Sequence, residues 1–261
     1  MRENYFLYLL LIITLFLSVP AQAKYGEINT NFGDNGLGFV MHEIAGSTNS
    51  QANALAVDSE GNLVVAGTHQ TASYSDILLA RFNSDGEIDT TFGDSDGSGG
   101  QLGYTTLDLG TKGDDANAIV INDDGTILVA GSTWTDSKNI TDMIVLRYTA
   151  DGTLDTTFGD DDGSGTGTKL GYTLLDIDGK GDAFYAMVTD SAGRIVVTGG
   201  SDYTFGYDVI LARYTADGEL DNTFGTTDMS TAAQLGYTHL DFGDGHDIGY
   251  ELTLDSEERI V

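Results

Sequence analysis

The amino-acid sequence predicts an all-β protein, an incomplete β-propeller of four-stranded antiparallel blades with about three and a half blades present. Three observations support this prediction. A long segment recurs along the chain, each period contains four β-like stretches, and beyond the first 23 residues no stretch of ten or more residues keeps a convincing helical period. A solenoid is the competing architecture, but its repeats are usually shorter, about 20–45 residues.

The recurring segment begins with aspartate and ends with Phe-Gly. It occupies residues 76–93, 142–159 and 208–225; the last two copies match at 13 of 18 positions and the first two at 9 of 18. A remnant precedes them at 26–33. The phenylalanines of the four copies lie 60, 66 and 66 residues apart, at Phe32, Phe92, Phe158 and Phe224. We therefore predict one repeat domain, 24–261, with repeats at roughly 26–82, 83–148, 149–214 and 215–261, the last of them truncated.

The first 23 residues have the pattern of a secretory signal peptide. Arg2 is the basic residue of a short polar start, an apolar run extends over 5–17, and the small residues that end at Ala23 predict cleavage there. An uncleaved anchor is the alternative, but the apolar run is shorter than the roughly 20 residues that span a bilayer. We expect a secreted protein, extracellular, on the cell surface or in the periplasm, with no membrane insertion after cleavage of the signal.

The net charge restricts the partners. The chain has 41 acidic and 11 basic residues, for a formal charge of −30. Nucleic acids and anionic membranes are recognised through Lys and Arg, so neither is an expected partner. A solvated acidic surface accounts for most of this charge, and cations are the natural ligands. There are no cysteines, so the core and the backbone hydrogen bonds must hold the fold together.

Each period divides into four predicted strands. In the second period these are 116–121, 126–133, 142–148 and 170–177, and a glycine-terminated turn at 122–125 joins the first two. Stretches of the fourth type recur, and they lie at 37–44, 102–109, 170–177 and 235–242. The shared arginines and phenylalanines are expected to be scaffold: the arginines pair with a carboxylate of their own blade or bond a neighbouring loop, and the phenylalanines fill the gap between blades.

The two ends of the chain bear on how the ring closes. Residues 255–261 align with 190–196, so the last unit stops within its second strand. Propellers have about four to eight blades. The sequence is thus expected to be a fragment of a longer protein whose following residues supply the remaining blades. The early strand 37–44 would then complete the last blade, although the sequence alone does not set the blade phase.

The pattern Asp-x-apolar-x-x-Arg-aromatic-x-x-Asp-Gly-x-apolar-Asp-x-Thr-Phe-Gly resembles the delta-60 repeat of bacterial proteins, over almost all of 26–261. That resemblance implies a β-propeller of secreted or surface proteins with no assigned activity. The chain is also distantly similar to NHL-type propellers, which mostly bind partners. The third loop after Phe-Gly departs from the glycine-rich form of the other two, so a function for these loops as a class is not implied.

Two acidic loops are the candidate metal sites. They read Asp-Ser-Asp-Gly-Ser-Gly at 94–99 and Asp-Asp-Asp-Gly-Ser-Gly at 160–165. Alternating aspartates followed by glycine let a turn wrap calcium, and the candidate ligands are Asp94, Asp96, Asp160 and Asp162. The complete calcium-loop pattern with its distal glutamate is absent, and a plain acidic turn is the alternative. The four histidines have no metal-ligand spacing.

Aromatic residues in the loops between second and third strands are the candidate binding residues. Aromatic rings there stack on sugars or grip a peptide, so an unknown glycan or protein is the expected ligand; loop packing is the alternative. These residues are Trp134, Tyr203, Phe205 and Tyr207.

The sequence predicts a secreted, non-catalytic module for binding or surface display within a larger protein, with calcium as its only candidate cofactor. A calcium-stabilised adhesin and a polysaccharide-active enzyme that uses the propeller channel are the alternatives. No catalytic set of residues is recognisable in the sequence.

Overall fold

The computed structural model describes residues 28–33, 36–109, 113–135, 140–203, 206–229, 234–243 and 245–261. These residues form twelve β-strands in three four-stranded sheets, and they contain no helix that could cross a membrane. The strands of the first sheet are β1 (Asn49–Val57), β2 (Leu63–Gln70), β3 (Ser75–Phe82) and β4 (Tyr104–Leu107). Those of the second are β5 (Asp114–Ile121), β6 (Ile127–Thr135), β7 (Ile140–Tyr148) and β8 (Tyr172–Leu175). Those of the third are β9 (Asp182–Thr189), β10 (Ile195–Tyr203), β11 (Gly206–Tyr214) and β12 (Tyr237–Leu240).

Every sheet is an antiparallel meander whose strands pair in sequence order. The first sheet packs on the second and the second on the third, through their first strands β1, β5 and β9. The row of sheets is open and not closed into a ring, which confirms the prediction of an all-β, incomplete β-propeller of four-stranded blades.

The strands of the three blades follow the sequence prediction closely, but two strands predicted in the incomplete end units do not form: that at 37–44, and the second strand expected at 255–261, where there is only an isolated bridge between Leu254 and Ile260. In the second blade the predicted 116–121, 126–133, 142–148 and 170–177 correspond to β5 to β8. The predicted strand at 37–44 is wrong, because these residues form no strand. A fourth strand needs the third strand of its own sheet as a partner, and no described residue before 37 supplies one.

A β-bulge in the first strand of each blade explains the glycine that faces it in the second strand, at Gly67, Gly131 and Gly199. The pairing shifts by one residue at Asn53 in β1 and at Asn117 in β5. A β-carbon on the opposing Gly131 would lie 1.9 Å from the backbone oxygen of Asp115, so only glycine fits. The extra residue also reaches the next blade, because Asn117 Nδ2 donates to the backbone oxygen of Phe184 at 3.0 Å.

Two apolar layers between blades form most of the core. The layer between the first and second blades includes Leu79, Phe92 and Ile144, and the layer between the second and third includes Val145, Phe158 and Ile210. All six of these side chains are at most 1% exposed. Both faces of the second blade are therefore buried, which explains why β6 and β7 are almost continuously apolar instead of alternating.

One rim of each blade is fastened to the next blade by the repeated arginine and phenylalanine. Arg147 Nε pairs with Asp155 at 2.7 Å, Nη1 donates to the backbone oxygen of Ala216 in the next blade at 2.9 Å, and the guanidinium lies 4.7 Å from the Phe158 ring centre. Phe158 in turn packs on Gly218 of the next blade. The scaffold role expected for these residues is confirmed.

The incomplete units at both ends keep the local geometry of the repeat. Gly33 N donates to Asp85 O at 2.7 Å, as Gly93 N does to Asp151 O at 2.8 Å. At the other end Arg259 pairs with Asp255 at 2.6 Å, just as Arg194 pairs with Asp190. The predicted signal peptide, 1–23, lies outside the described residues, and the repeat boundaries stay a prediction.

Because the strands approach closely at the bulge, adding a single methyl group there should strongly destabilise the fold. Gly131→Ala should lower the free energy of unfolding by about 2–4 kcal/mol, because the new β-carbon must push two paired strands apart. Gly163→Ala is the matched control. Gly163 has a φ of +75°, but no atom lies within 4 Å of the position of its added β-carbon. The strained backbone conformation alone should therefore lower the free energy of unfolding, by about 1 kcal/mol. Denaturant unfolding of both variants measures the difference. Equal losses would contradict the close approach at the bulge.

Candidate cation sites at the blade junctions

Among the described residues, three groups of aspartates, the acidic triads, lie at the ends of the three blades. In each triad one carboxylate oxygen from every member lies within 4.8 Å of the others. The triads are Asp76–Asp108–Asp114, Asp142–Asp176–Asp182 and Asp208–Asp241–Asp247. The first two stand at the junctions between successive blades, and the third stands where the chain continues past the third blade.

The repeat places each member of a triad in the same way. The first aspartate of each triad lies near the start of a blade's third strand, and the second directly follows its fourth strand. The last aspartate comes six residues after the second. In the first two triads it begins the first strand of the next blade. A backbone hydrogen bond closes this six-residue loop. Ile177 N donates to Oδ2 of Asp182 at 2.8 Å, and Leu109 N and Phe242 N bond Asp114 and Asp247 equivalently.

A row of paired residues connects one triad to the next across each blade. In the second blade Thr133 pairs in register with Asp114 on one side and Asp142 on the other, and its hydroxyl donates to Asp114. Ser201 has the same position between Asp182 and Asp208 in the third blade. In the first blade His69 stands opposite Asp76. The carboxylates thus form a line along one rim of the propeller.

In the middle triad, Asp142–Asp176–Asp182, burial makes it costly to keep the carboxylates ionised. Asp182 is 1% exposed and Asp142 is 6% exposed, whereas Asp176 faces solvent. Burial raises the pKa of Asp182 to about 7; hydrogen-bonding groups of Ser201 and Ile177 oppose this rise, and the charges of Asp142 and Asp176 add to it. Burial, together with Asp108 and Asp114, also raises the pKa of Asp76, and His69 lowers it.

The donor set suits a hard divalent cation. Calcium takes oxygen ligands at about 2.3–2.6 Å, so oxygens up to about 4.8 Å apart fit around one ion. All three side chains are carboxylates, the exposed second aspartate leaves a route from solvent, and no rearrangement of strands is required. Thiolate- and imidazole-binding metals have no matching ligands in the triads.

The aspartates predicted from sequence as calcium ligands lie on the opposite rim, in the connections from third to fourth strands. Asp96 accepts hydrogen bonds from Ser98 N and Gly100 N at 2.7 and 3.0 Å, and Asp162 accepts one from Ser164 N at 2.8 Å. Asp94 and Asp160 instead bond the fourth strand, through Thr105 and Thr173 hydroxyls at 3.0 and 3.2 Å. None of these four aspartates belongs to a triad of the described residues. Calcium in these loops stays a prediction.

The predicted aromatic residues stand on the same rim as the triads. Trp134, in β6, is half-buried over Gly113, and its backbone N donates to Gly113 O at 2.9 Å. Tyr207, in β11, is half-buried with its ring centre 5.5 Å from that of His246. The structure holds these two against different blade junctions and does not bring them together. Phe205 and the side chain of Tyr203 lie outside the described residues.

The acidic triads were not predicted from the sequence. With 41 acidic residues in the chain, neighbouring carboxylates carry little information singly. The signal is their recurrence: Asp108 and Asp114, Asp176 and Asp182, and Asp241 and Asp247 are each six residues apart. Only the fold shows that the aspartate opening the 18-residue repeat joins them.

Three segments match the model of a family described as "Domain of unknown function (DUF5122) beta-propeller", at residues 59–92, 123–158 and 193–224. Each matched segment spans the second and third strands of one sheet and ends at the phenylalanine of the repeat, Phe92, Phe158 or Phe224. The chain carries three β-propeller repeats. The match supports a β-propeller repeat family of unknown function, and no curated protein matches the chain.

The raised pKa of Asp182 predicts a distinct pH dependence in chelator-treated protein. The folded pKa of about 7 exceeds the ordinary 3.8, so this group favours folding at low pH and its contribution falls as pH rises from about 4 to 7. Each pKa unit corresponds to about 1.4 kcal/mol, so the fall is about 4 kcal/mol at most. Asp182→Asn should lack this fall when unfolding is measured against pH. Parallel pH curves for the two proteins would contradict the assignment.

Proposed function

We propose that the chain is an exported, non-catalytic propeller module that binds a glycan on the rim carrying Trp134 and Tyr207. The observation that carries this proposal is the position of these rings. Both are half-buried at strand ends, where backbone hydrogen bonds from Trp134 N to Gly113 O and from Tyr207 N to His246 Nδ1, at 3.2 Å, hold them in place. Rigidly held aromatic rings present an apolar face without a large entropic cost on binding.

The charge of the chain narrows the glycan class. A formal charge of −30 repels acidic polysaccharides as it repels nucleic acid. The acidic triads lie on the same rim as the two rings, so the local field has the same sign. A neutral polysaccharide is therefore the favoured ligand.

The repetition of the polar groups favours binding over catalysis. The carboxylates that the fold brings together recur in equivalent form at three positions, whereas an active site usually combines unlike groups at one position. One observation favours the enzyme as second candidate: carboxylate pairs about 5–5.5 Å apart serve retaining glycoside hydrolases, and the triad oxygens lie within 4.8 Å.

One experiment separates the two candidates. Immobilised neutral polysaccharides (cellulose, chitin, xylan and a β-glucan) are presented to the purified protein, to Trp134→Ala/Tyr207→Ala and to the opposite-rim control Ser98→Ala. Binding should fall at least tenfold in the double variant only, with no release of reducing ends. Binding to none of these polymers, or equal binding by the double variant, would contradict the proposal. Release of reducing ends that disappears with Asp142→Asn would favour the hydrolase.

Export rests on the predicted leader and has its own test. The full chain expressed in a bacterium should be recovered outside the cytoplasm with Lys24 at its N-terminus, as shown by intact mass and N-terminal sequencing. A cytoplasmic protein that retains residues 1–23 would overturn the export proposal.

A further inference from the structure

We propose that the acidic triad Asp142–Asp176–Asp182, at the junction of the second and third blades, binds a divalent cation of the calcium class. This site is distinct from the acidic loops 94–99 and 160–165, which lie on the other rim. It also stands independently of glycan binding, because its evidence is the geometry of the junction alone.

The carboxylates of this triad converge from separate elements of the fold. Asp142 belongs to β7 of the second blade, Asp176 follows β8, and Asp182 begins β9 of the third blade. One oxygen of each lies within 4.8 Å of the others, a spacing that lets all three reach one ion at calcium–oxygen distances. An ion held there joins two blades directly.

One buried oxygen of Asp182 lacks a well-formed hydrogen bond to the protein. Asp182 Oδ2 accepts the Ile177 N–H at 2.8 Å. Asp182 Oδ1 is buried in a residue that is 1% exposed, and it makes no hydrogen bond of normal geometry. Ser201, paired with Asp182 across the sheet, lies near enough to lower the pKa of Asp182, but its buried Oγ likewise makes no hydrogen bond of normal geometry. A buried carboxylate oxygen left unsatisfied is costly, and a cation removes that cost.

The preceding blade junction satisfies the equivalent carboxylate differently. In the preceding blade the position of Ser201 is occupied by Thr133, whose hydroxyl donates to Oδ1 of Asp114. The equivalent oxygen therefore accepts a well-formed hydrogen bond at the first junction, whereas the contact of Ser201 with Asp182 at the second does not have hydrogen-bond geometry. A bound cation should therefore stabilise the middle triad more than the triad at the first junction.

The binding of the ion should also stabilise the fold. An ion that binds the folded protein alone raises its stability by RT ln(1 + [ion]/Kd), and it offsets the repulsion between buried carboxylates. Calcium fits a flexible oxygen site better than magnesium, which requires near-octahedral geometry and holds its water tightly.

Equilibrium dialysis against calcium, followed by elemental analysis, tests the proposal in chelator-treated full-length protein. Asp176→Asn is the main variant, because Asp176 is exposed and its replacement should not prevent folding. This variant should bind one calcium ion fewer per chain than the wild type. Asp162→Asn, on the opposite rim, is the matched control and should bind as many ions as the wild type.

The outcomes separate the sites. A wild-type count of one assigns the middle triad alone, and a count of three extends the assignment to the equivalent triads; both require the loss of one ion in Asp176→Asn. Thermal melting should show the calcium-dependent rise in Tm reduced in Asp176→Asn and in Asp182→Asn, but not in Asp162→Asn. No bound calcium in the wild type, or an ion lost with Asp162→Asn and kept with Asp176→Asn, would overturn the proposal.

Discussion

The attachment of each blade to the next is the constraint on which the rest of the structure depends. A single four-stranded sheet buries only part of its apolar surface, so the blades must pack face to face to form a core. The arginine, phenylalanine and glycine of the repeat fix how they pack. Phe158 is fully buried against Gly218 of the next blade, and Arg147 bonds both its own Asp155 and the backbone of that blade. Burying one phenylalanine contributes about 1.5–3 kcal/mol.

This attachment divides the molecule into two rims with different chemistry. On the fastened rim the charged side chains pair with one another. Burial alone would raise the pKa of Asp155, but hydrogen bonds from Thr157 and the Arg147 guanidinium outweigh burial and lower this pKa overall. On the other rim carboxylates face one another, and the pKa of Asp182 rises. The blades are thus locked at one end. The other end carries the groups that we propose to bind ligands, both the acidic triads and the two aromatic rings.

The repeat made the architecture predictable from the sequence, and the reason is physical. Equivalent residues such as Arg81 and Arg147 make equivalent contacts, 2.7 Å to Asp89 and to Asp155, so one blade predicts the others. The strand expected at 37–44 failed because a strand depends on its partner as well as on its own residues. The triads could not be predicted for a similar reason: Asp142 and Asp182 are 40 positions apart, and only packing between blades brings their oxygens together.

The guanidinium group of the repeated arginine joins successive blades, and Arg147→Lys tests this role most directly. Arg147 also donates from Nη2 to the Thr157 hydroxyl at 3.1 Å. Lysine keeps the charge but cannot bond Asp155, Thr157 and Ala216 while covering the Phe158 ring. The control is Arg194→Lys, whose arginine pairs within its own turn, with Asp190 at 2.6 Å. Denaturant unfolding should show a loss of about 1–3 kcal/mol for Arg147→Lys and less than about 1 kcal/mol for Arg194→Lys. Equal small losses would contradict the claim that this contact holds the propeller together.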